Sequence, residues 1–211
     1  MDRKDWDERY ETPDLIWTEE PNQFLVREVS DLSPGRAVDL ACGEGRNAIW
    51  LAERGWDTTG VDFSRVGLEK ARQFAERRGA LIRWIETDLT DWEPEPASYD
   101  LVLLAYVQLP SEMRSQLHRK AFTAVRPGGR LLIIAHDSTN LREGFGGPQS
   151  SEVLFSPDDV LADIGGEDFV IERADRVART VTTDLGERTA IDALVRVQRT
   201  LKDKETASGN R

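Results

Sequence analysis

The chain holds one cysteine, Cys42, so no disulfide can close within it and no cysteine-based zinc site can be assembled from it. Histidine is nearly as scarce. His118 and His136 are the two present, and their spacing does not pair them on one helix face. A metal site would have to be built mostly from carboxylates, and the sequence shows no such cluster, so none is expected. No apolar run approaches the ~20 residues that cross a bilayer. The start, Met1-Asp2-Arg3-Lys4-Asp5-Trp6-Asp7-Glu8, lacks the apolar centre of a signal peptide, and the expected location is the cytoplasm. Basic charge is also short. Against 39 Asp and Glu stand 28 Lys and Arg, a net charge of −11, and the basic residues are scattered among acids. Polyanion binding works by neutralising phosphates with Lys and Arg. Nucleic acids and anionic membranes are therefore poor partners, and a small molecule is the better expectation for a substrate.

What is present is an alternation of short β-rich runs with longer helical stretches, the pattern of a parallel sheet covered by helices. The 211 residues suit one domain with a full core. Pro21 to Leu32 reads as a helix with Phe24, Leu25 and Val29 on one face, ended by Pro34-Gly35. Ala37 to Ala41 reads as a buried strand, and Cys42-Gly43-Glu44-Gly45 as a tight turn into a helix from Asn47 to Arg54. Thr58 to Asp62 is the second strand. Ser64 can cap the helix that runs to Arg78 and stops at Gly79. Leu81 to Glu86 is the third strand. Asp100 to Ala105 is the fourth, and its unbroken apolar run implies burial on both faces. Ser111 to Val125 is a helix, and Pro127-Gly128-Gly129 leads into a fifth strand, Arg130 to Ala135. A long loop, His136 to Ser156, follows, with Gly144, Gly146, Gly147 and Pro148. Loops of that length in compact domains are mostly lids or disordered. Ser156-Pro157 then opens a short helix. Phe169 to Arg173 and Thr189 to Gln198 read as two strands that can pair antiparallel around Asp184-Leu185-Gly186. The tail from 202 to 211 is polar and expected to be disordered.

Three segments carry chemistry. In Val38-Asp39-Leu40-Ala41-Cys42-Gly43-Glu44-Gly45-Arg46-Asn47-Ala48, two glycines let a ligand approach the backbone where a helix begins. On glycines alone the segment also satisfies the degenerate dinucleotide fingerprint, with Ala48 in the last place. Asp39 separates the readings, because a carboxylate inside the strand repels a pyrophosphate and attracts the ammonium of a bound amino acid. Asp62 ends the second strand 19 positions beyond Gly43, a spacing at which an acid accepts both hydroxyls of a ribose; alternatively it only starts a turn. Asp88 follows the third strand, where it can accept from the amine of adenine with Leu89 on the ring face, or sit in a solvated acidic loop.

Taken in order, Asp39-Leu40-Ala41-Cys42-Gly43-Glu44-Gly45, then Asp62, Asp88 and Pro127-Gly128-Gly129, resemble the signature segments of class I S-adenosylmethionine-dependent methyltransferases. The likeness runs from about Phe24 to Gln198. Gly43 to Ala48 and Thr183-Asp184-Leu185-Gly186 resemble, more narrowly, the small methyltransferases of the tellurite-resistance type. The resemblance implies an α/β fold, a doubly wound, seven-stranded and mostly parallel sheet with an antiparallel C-terminal strand pair, in one methyltransferase domain over residues 1–201. It implies S-adenosylmethionine as cofactor, held by Asp39, Cys42, Gly43, Asp62, Asp88 and the end of the fourth strand, Ala105-Tyr106. The neighbours Ala41, Arg46, Phe63 and Leu89 complete the expected set. In small members the N-terminal segment closes over the cofactor, which here makes residues 1–33 a helical lid segment, with Tyr10 and Trp17 as the covers within Trp6 to Trp17. These aromatics can also simply pack on the sheet.

Methyl transfer from a sulfonium chiefly needs proximity and alignment, since the leaving group is already activated. A general base is required mainly for a weakly acidic hydroxyl or a protonated amine. His136, just past the fifth strand, is the candidate catalytic residue; a histidine bonded to the loop backbone is the plainer reading. Arg46 and Arg142 are placed to attract an anionic acceptor, Tyr106, Gln108 and Phe145 to line its pocket, and His118 to lie on the surface. The expected acceptor is a small molecule with a thiol, a chalcogen oxyanion or a hydroxyl, and the expected assembly is a monomer or homodimer. Two other functions compete. A nicotinamide oxidoreductase shares the glycines, and Asp39 and the C-terminal strand pair speak against it. A non-catalytic sensor of the cofactor or a nucleoside would need the same binding residues.

Overall fold

The computed structural model describes residues 3–184 and 186–201; the expected disordered tail, 202–211, lies outside them. Seven strands form one sheet: β1 Arg36–Leu40, β2 Asp57–Asp62, β3 Ile82–Glu86, β4 Tyr99–Ala105, β5 Val125–His136, β6 Phe169–Thr183 and β7 Gly186–Arg199. Their order is β3-β2-β1-β4-β5-β7-β6. The first five are parallel, and β7 enters antiparallel between β5 and β6. The helices are α1 Arg3–Tyr10, α2 Gln23–Val29, α3 Arg46–Glu53, α4 Arg65–Arg78, α5 Ser111–Ala124, α6 Asn140–Glu143 and α7 Pro157–Asp163. None is long and apolar enough to cross a membrane among the described residues.

The period-two geometry of strands explains the apolar run of β4. Leu101 and Leu103 enter one core with Phe24, Leu25 and Val29 of α2 and Trp50 and Leu51 of α3. Val102 and Leu104 enter the other with Leu117, Ala121 and Phe122 of α5 and Val160 of α7. Each helix begins and ends where local chemistry dictates. Asn22 caps α2 by accepting from Phe24 N at 2.8 Å, Ser64 caps α4 by accepting from Gly67 N at 3.0 Å, and Gly79 closes α4 in the left-handed region. Ser156 and Asp159 form a reciprocal capping box on α7.

The structure departs from the sequence reading at four places. The first core helix is shorter, Gln23–Val29, because Asn22 starts it. Strand β5 begins at Val125, directly after α5, since Tyr99 pairs with Val125 ahead of an irregularity in the β4–β5 ladder. The last two strands run far beyond the predicted Phe169–Arg173 and Thr189–Gln198. Their extension is solvated on much of its surface, so no apolar alternation marks it. The stretch His136 to Ser156 contains α6 and buries Asn140, Leu154 and Phe155, and is anchored rather than free.

His118 is likewise not on the surface. It is 1% exposed, between α5 and α7. Its Nδ1 lies 2.8 Å from Asp163 Oδ2, and Arg114 bonds the same carboxylate through Nε at 2.7 Å. Burial favours the neutral imidazole and holds His118 below its ordinary value. Burial would raise Asp163, but the hydrogen bonds from His118 and Arg114 outweigh it and hold the carboxyl low. Replacing Asp163 with Asn strips a buried Arg of its counter-charge, and denaturant unfolding should show a loss of about 3 kcal/mol. The sign of the pH effect follows from linkage. As pH falls below 6.5, the ordinary value, the unfolded chain takes up the His118 proton before the folded one. The stability gap between wild type and His118→Gln should therefore narrow from pH 8 to pH 5.5; a constant gap would mean that His118 titrates alike in both states.

Candidate functional site

The strand order reverses between β1 and β4, and in open α/β sheets the crevice at such a switch point, beyond the strand C-termini, is where ligands bind. Two non-glycine residues mark the crevice by their backbone. Ala41, after β1, has φ 57°, and Tyr106, after β4, has φ 61°. Left-handed backbone costs non-glycine residues about 1–3 kcal/mol and persists where its surroundings fix it, often at functional sites.

On the β1–β2 side, Asp62 organises the turn. Its Oδ2 accepts from Gly43 N at 2.7 Å and its Oδ1 from Ser64 N at 2.8 Å. Burial raises this carboxyl above its ordinary value, with the backbone donors pulling the other way. Gly43 has φ 53°, and a Cβ there would stand 2.6 Å from the Tyr10 hydroxyl. The glycine is thus needed both for its conformation and for the close approach. Asp39 lies beneath the turn, fully buried, and its Oδ2 has no hydrogen-bond partner among the described residues. Burial pushes its carboxyl up to about 7, opposed by the charge of Arg46 and reinforced by Asp62. The Cys42 thiol is held protonated by burial and by the same two carboxylates. This makes it a packing group rather than a nucleophile.

The N-terminal segment lies over this turn. Glu44, 3% exposed, accepts from Ile16 N and Trp17 N and pairs with Lys70 at 2.8 Å. Lys70 in turn bonds Tyr10 O and Asp14 O, and Asp7 accepts from the Ser64 hydroxyl. Tyr10 is buried against Gly43 and Gly67. Trp17 is 40% exposed, with the Arg9 guanidinium 5.3 Å from its ring centroid. Of the two predicted covers, Tyr10 is therefore the one seated on the turn.

The remaining predicted residues fall at the same sheet edge in different settings. Phe63 is half-buried beside Asp62. Asp88 is half-buried and caps its own turn, accepting from Thr90 N at 2.9 Å, while Leu89 packs on the core. Arg46, at the start of α3, is held below its ordinary value by burial and senses Tyr106, Asp39 and Arg179. Ala105 and Tyr106 end β4, and the Tyr106 ring lies 4.9 Å from that of His136. Gln108 reaches Val153 O at 3.3 Å. Arg142 and Phe145 are solvent-exposed. Among the described residues no group of three or more His, Cys, Asp or Glu is placed to hold a metal.

Sequence reasoning missed Glu44, Asp192 and Arg179. Asp192 on β7 is fully buried; it accepts from the Tyr106 hydroxyl at 2.9 Å and from Arg179 Nε at 2.8 Å. The signal available was a lone acid in the run Ala190-Ile191-Asp192-Ala193-Leu194-Val195.

Comparison with known proteins agrees with this geometry. Residues 37–129 match the model of a methyltransferase domain. A thiopurine S-methyltransferase of Vibrio cholerae is 31% identical over 138 residues, 56% of this chain and 62% of that protein. Thiocyanate methyltransferase 1 of Brassica oleracea is 25% identical over 171 residues, 79% of this chain and 70% of that one. The chain's match thus spans about three-fifths of the first relative's length and seven-tenths of the second's. Among solved structures, TehB from Haemophilus influenzae superposes with a TM-score of 0.72 at 19% identity, over 94% of this chain and 67% of that one. A structure concerned with conversion of a disulfide bond into a thioacetal group during echinomycin biosynthesis gives 0.73 at 22% identity, over 96% and 94%. At those identities the structures speak for the fold. The antiparallel β7 between β5 and β6 sets this sheet apart from the parallel order of nicotinamide-binding domains. Over residues 37–129 the chain is thus similar to a methyltransferase domain, and its sheet order is that of the Rossmann-like methyltransferase fold, shared with TehB.

Proposed function

We propose that the chain transfers the methyl group of S-adenosylmethionine to a small-molecule acceptor, with a thiol, a chalcogen oxyanion or a hydroxyl as the receiving group. The observation that carries the reading is Asp39. A buried carboxylate without a partner is expensive, costing several kcal/mol, and Asp39 keeps one oxygen unpaired under the turn. A bound ammonium, directly or through water, would complete it, and the amino-acid end of S-adenosylmethionine carries one. Asp62 and the backbone of Gly43 fit the ribose, Asp88 and Leu89 the adenine, and Tyr10 the cover, within a single methyltransferase unit of residues 1–201. When bound, the cofactor supplies an activated methyl on a sulfonium; the protein supplies alignment and the exclusion of water. The names of the thiopurine S-methyltransferase and the thiocyanate methyltransferase favour a sulfur acceptor. A cytoplasmic setting suits such chemistry.

Incubation with cofactor labelled in its methyl group and a panel of alkyl thiols, thiophenols, selenite, tellurite and phenols tests the reaction. Labelled product from at least one thiol is expected. Cofactor binding with no transfer to any member would leave a sensor as the better account.

Asp39 gives a second test. Its carboxyl stands near 7 in the free protein, and a bound cation favours its ionised form, so binding at pH 6.5 should release a proton. Calorimetry of S-adenosylhomocysteine in buffers of different ionisation heat should register that release. Asp39→Asn should abolish it and weaken binding about tenfold or more, the worth of a charge-assisted hydrogen bond at ~1.5–3 kcal/mol. A wild-type heat independent of buffer would remove Asp39 from the ammonium site.

A further inference from the structure

Asp192 is a buried acid that the cofactor reading leaves unexplained. It sits directly opposite His136 in the antiparallel β5–β7 ladder, so the register itself brings the two side chains together. His136 Nδ1 lies 3.4 Å from Asp192 Oδ1. Each of these two atoms is buried and has no hydrogen-bond partner among the described residues, so at this separation each is the partner open to the other. The second carboxylate oxygen is already occupied, by Tyr106 Oη at 2.9 Å and Arg179 Nε at 2.8 Å. The Tyr106 ring packs against His136 at a tilt of 40°, and its backbone just after β4 is left-handed. On another side, Gly147 approaches so closely that a Cβ there would stand 2.8 Å from the imidazole ring. Strand, phenol and loop thus fix the imidazole from three directions, at the strand edge that faces the crevice.

We propose that Asp192 is a positioning residue that holds His136 as the Nδ1–H tautomer, leaving Nε2 to take a proton from an acceptor that arrives as a thiol or hydroxyl. The inference rests on the methyl-transfer reading. The balance is simple. The acceptor X–H gives its proton to His136 Nε2 while X forms the new bond to the methyl carbon. The sulfonium C–S bond breaks with its electron pair, leaving a neutral thioether, and His136 later returns the proton to solvent. Burial would raise the Asp192 carboxyl, but His136, Arg179 and the Tyr106 hydroxyl outweigh it and hold it low, so Asp192 stays ionised and stabilises the imidazolium that forms. A permanently ionised oxyanion acceptor would need none of this, so the network favours acceptors that must lose a proton.

Two measurements test the assignment. The first is the ¹⁵N histidine spectrum of the free protein at pH 8, with His136 identified by its absence in His136→Gln. His136 should be Nδ1-protonated in wild type and should lose that preference in Asp192→Asn. An Nε2–H tautomer in wild type, or the same spectrum in both proteins, overturns the proposal. The second compares methyl transfer to 2-mercaptoethanol, largely protonated at neutral pH, with transfer to a nitro-substituted thiophenol that is already ionised. General-base removal costs about 10²–10⁴-fold. His136→Gln should lose about a hundredfold or more, and Asp192→Asn at least about tenfold, on the first acceptor, with both within about threefold of wild type on the second. Equal losses on both acceptors, or none, would make Asp192 structural only. An Asp192-dependent tautomer in a protein that transfers to neither thiol would uphold the positioning role and contradict the methyl-transfer reading instead. Unchanged affinity of Asp192→Asn for S-adenosylhomocysteine serves as the folding control.

Discussion

The two hydrogen bonds that Asp62 accepts tie together everything at the β1–β2 edge. One fixes Gly43 N and hence the turn after β1; the other fixes Ser64 N and hence the start of α4. With both loops pinned, Asp39 is enclosed below the turn, Cys42 is buried within the influence of both acids, and Tyr10 rests against Gly43. These contacts depend on one another. Removing the Asp62 carboxylate would free two buried backbone donors at once, and an unpaired buried donor costs about 1–3 kcal/mol. Asp62 therefore shapes the site whether or not it also meets a ribose.

The crevice has a division of labour that follows from topology. The edge formed by β1, β2 and β3 carries Asp39, Asp62, Asp88 and the glycine turn, where the proposed cofactor would lie. Tyr106 follows β4 and His136 ends β5, facing Asp192 midway along β7, and this cluster is where the proposed acceptor would lie. Arg46 connects the two, starting α3 directly after the turn while sensing Tyr106 and Arg179. The N-terminal segment covers the first half, held there by Glu44 and Lys70. The loop around Gly147 reaches the second, against the His136 ring.

Much of this was legible in the sequence because it is local. The double burial of β4 followed from an apolar run, the caps of α4 and α7 from Ser64 and Ser156, and the glycine turn from its own four residues. What was not legible depends on partners distant in sequence. His118 reads as a surface residue until Asp163, 45 positions on, closes over it. Asp192 gains its meaning from Tyr106 and His136 on two other strands. The outer halves of β6 and β7 carry solvated polar residues, such as Arg176, Thr182 and Arg188, and strand pairing there is set by the ladder rather than by apolar alternation. Asp88 is placed where the sequence put it, yet the structure commits its Oδ1 to Thr90.

The central claim is that the crevice is built for an adenosyl amino acid and not for a dinucleotide. Titration calorimetry of the whole chain with S-adenosylhomocysteine and, separately, with NAD bears on it most directly. The account predicts saturable binding of the first at a stoichiometry of one and no measurable heat from the second. Tight binding of NAD with no response to the adenosyl compound would contradict it.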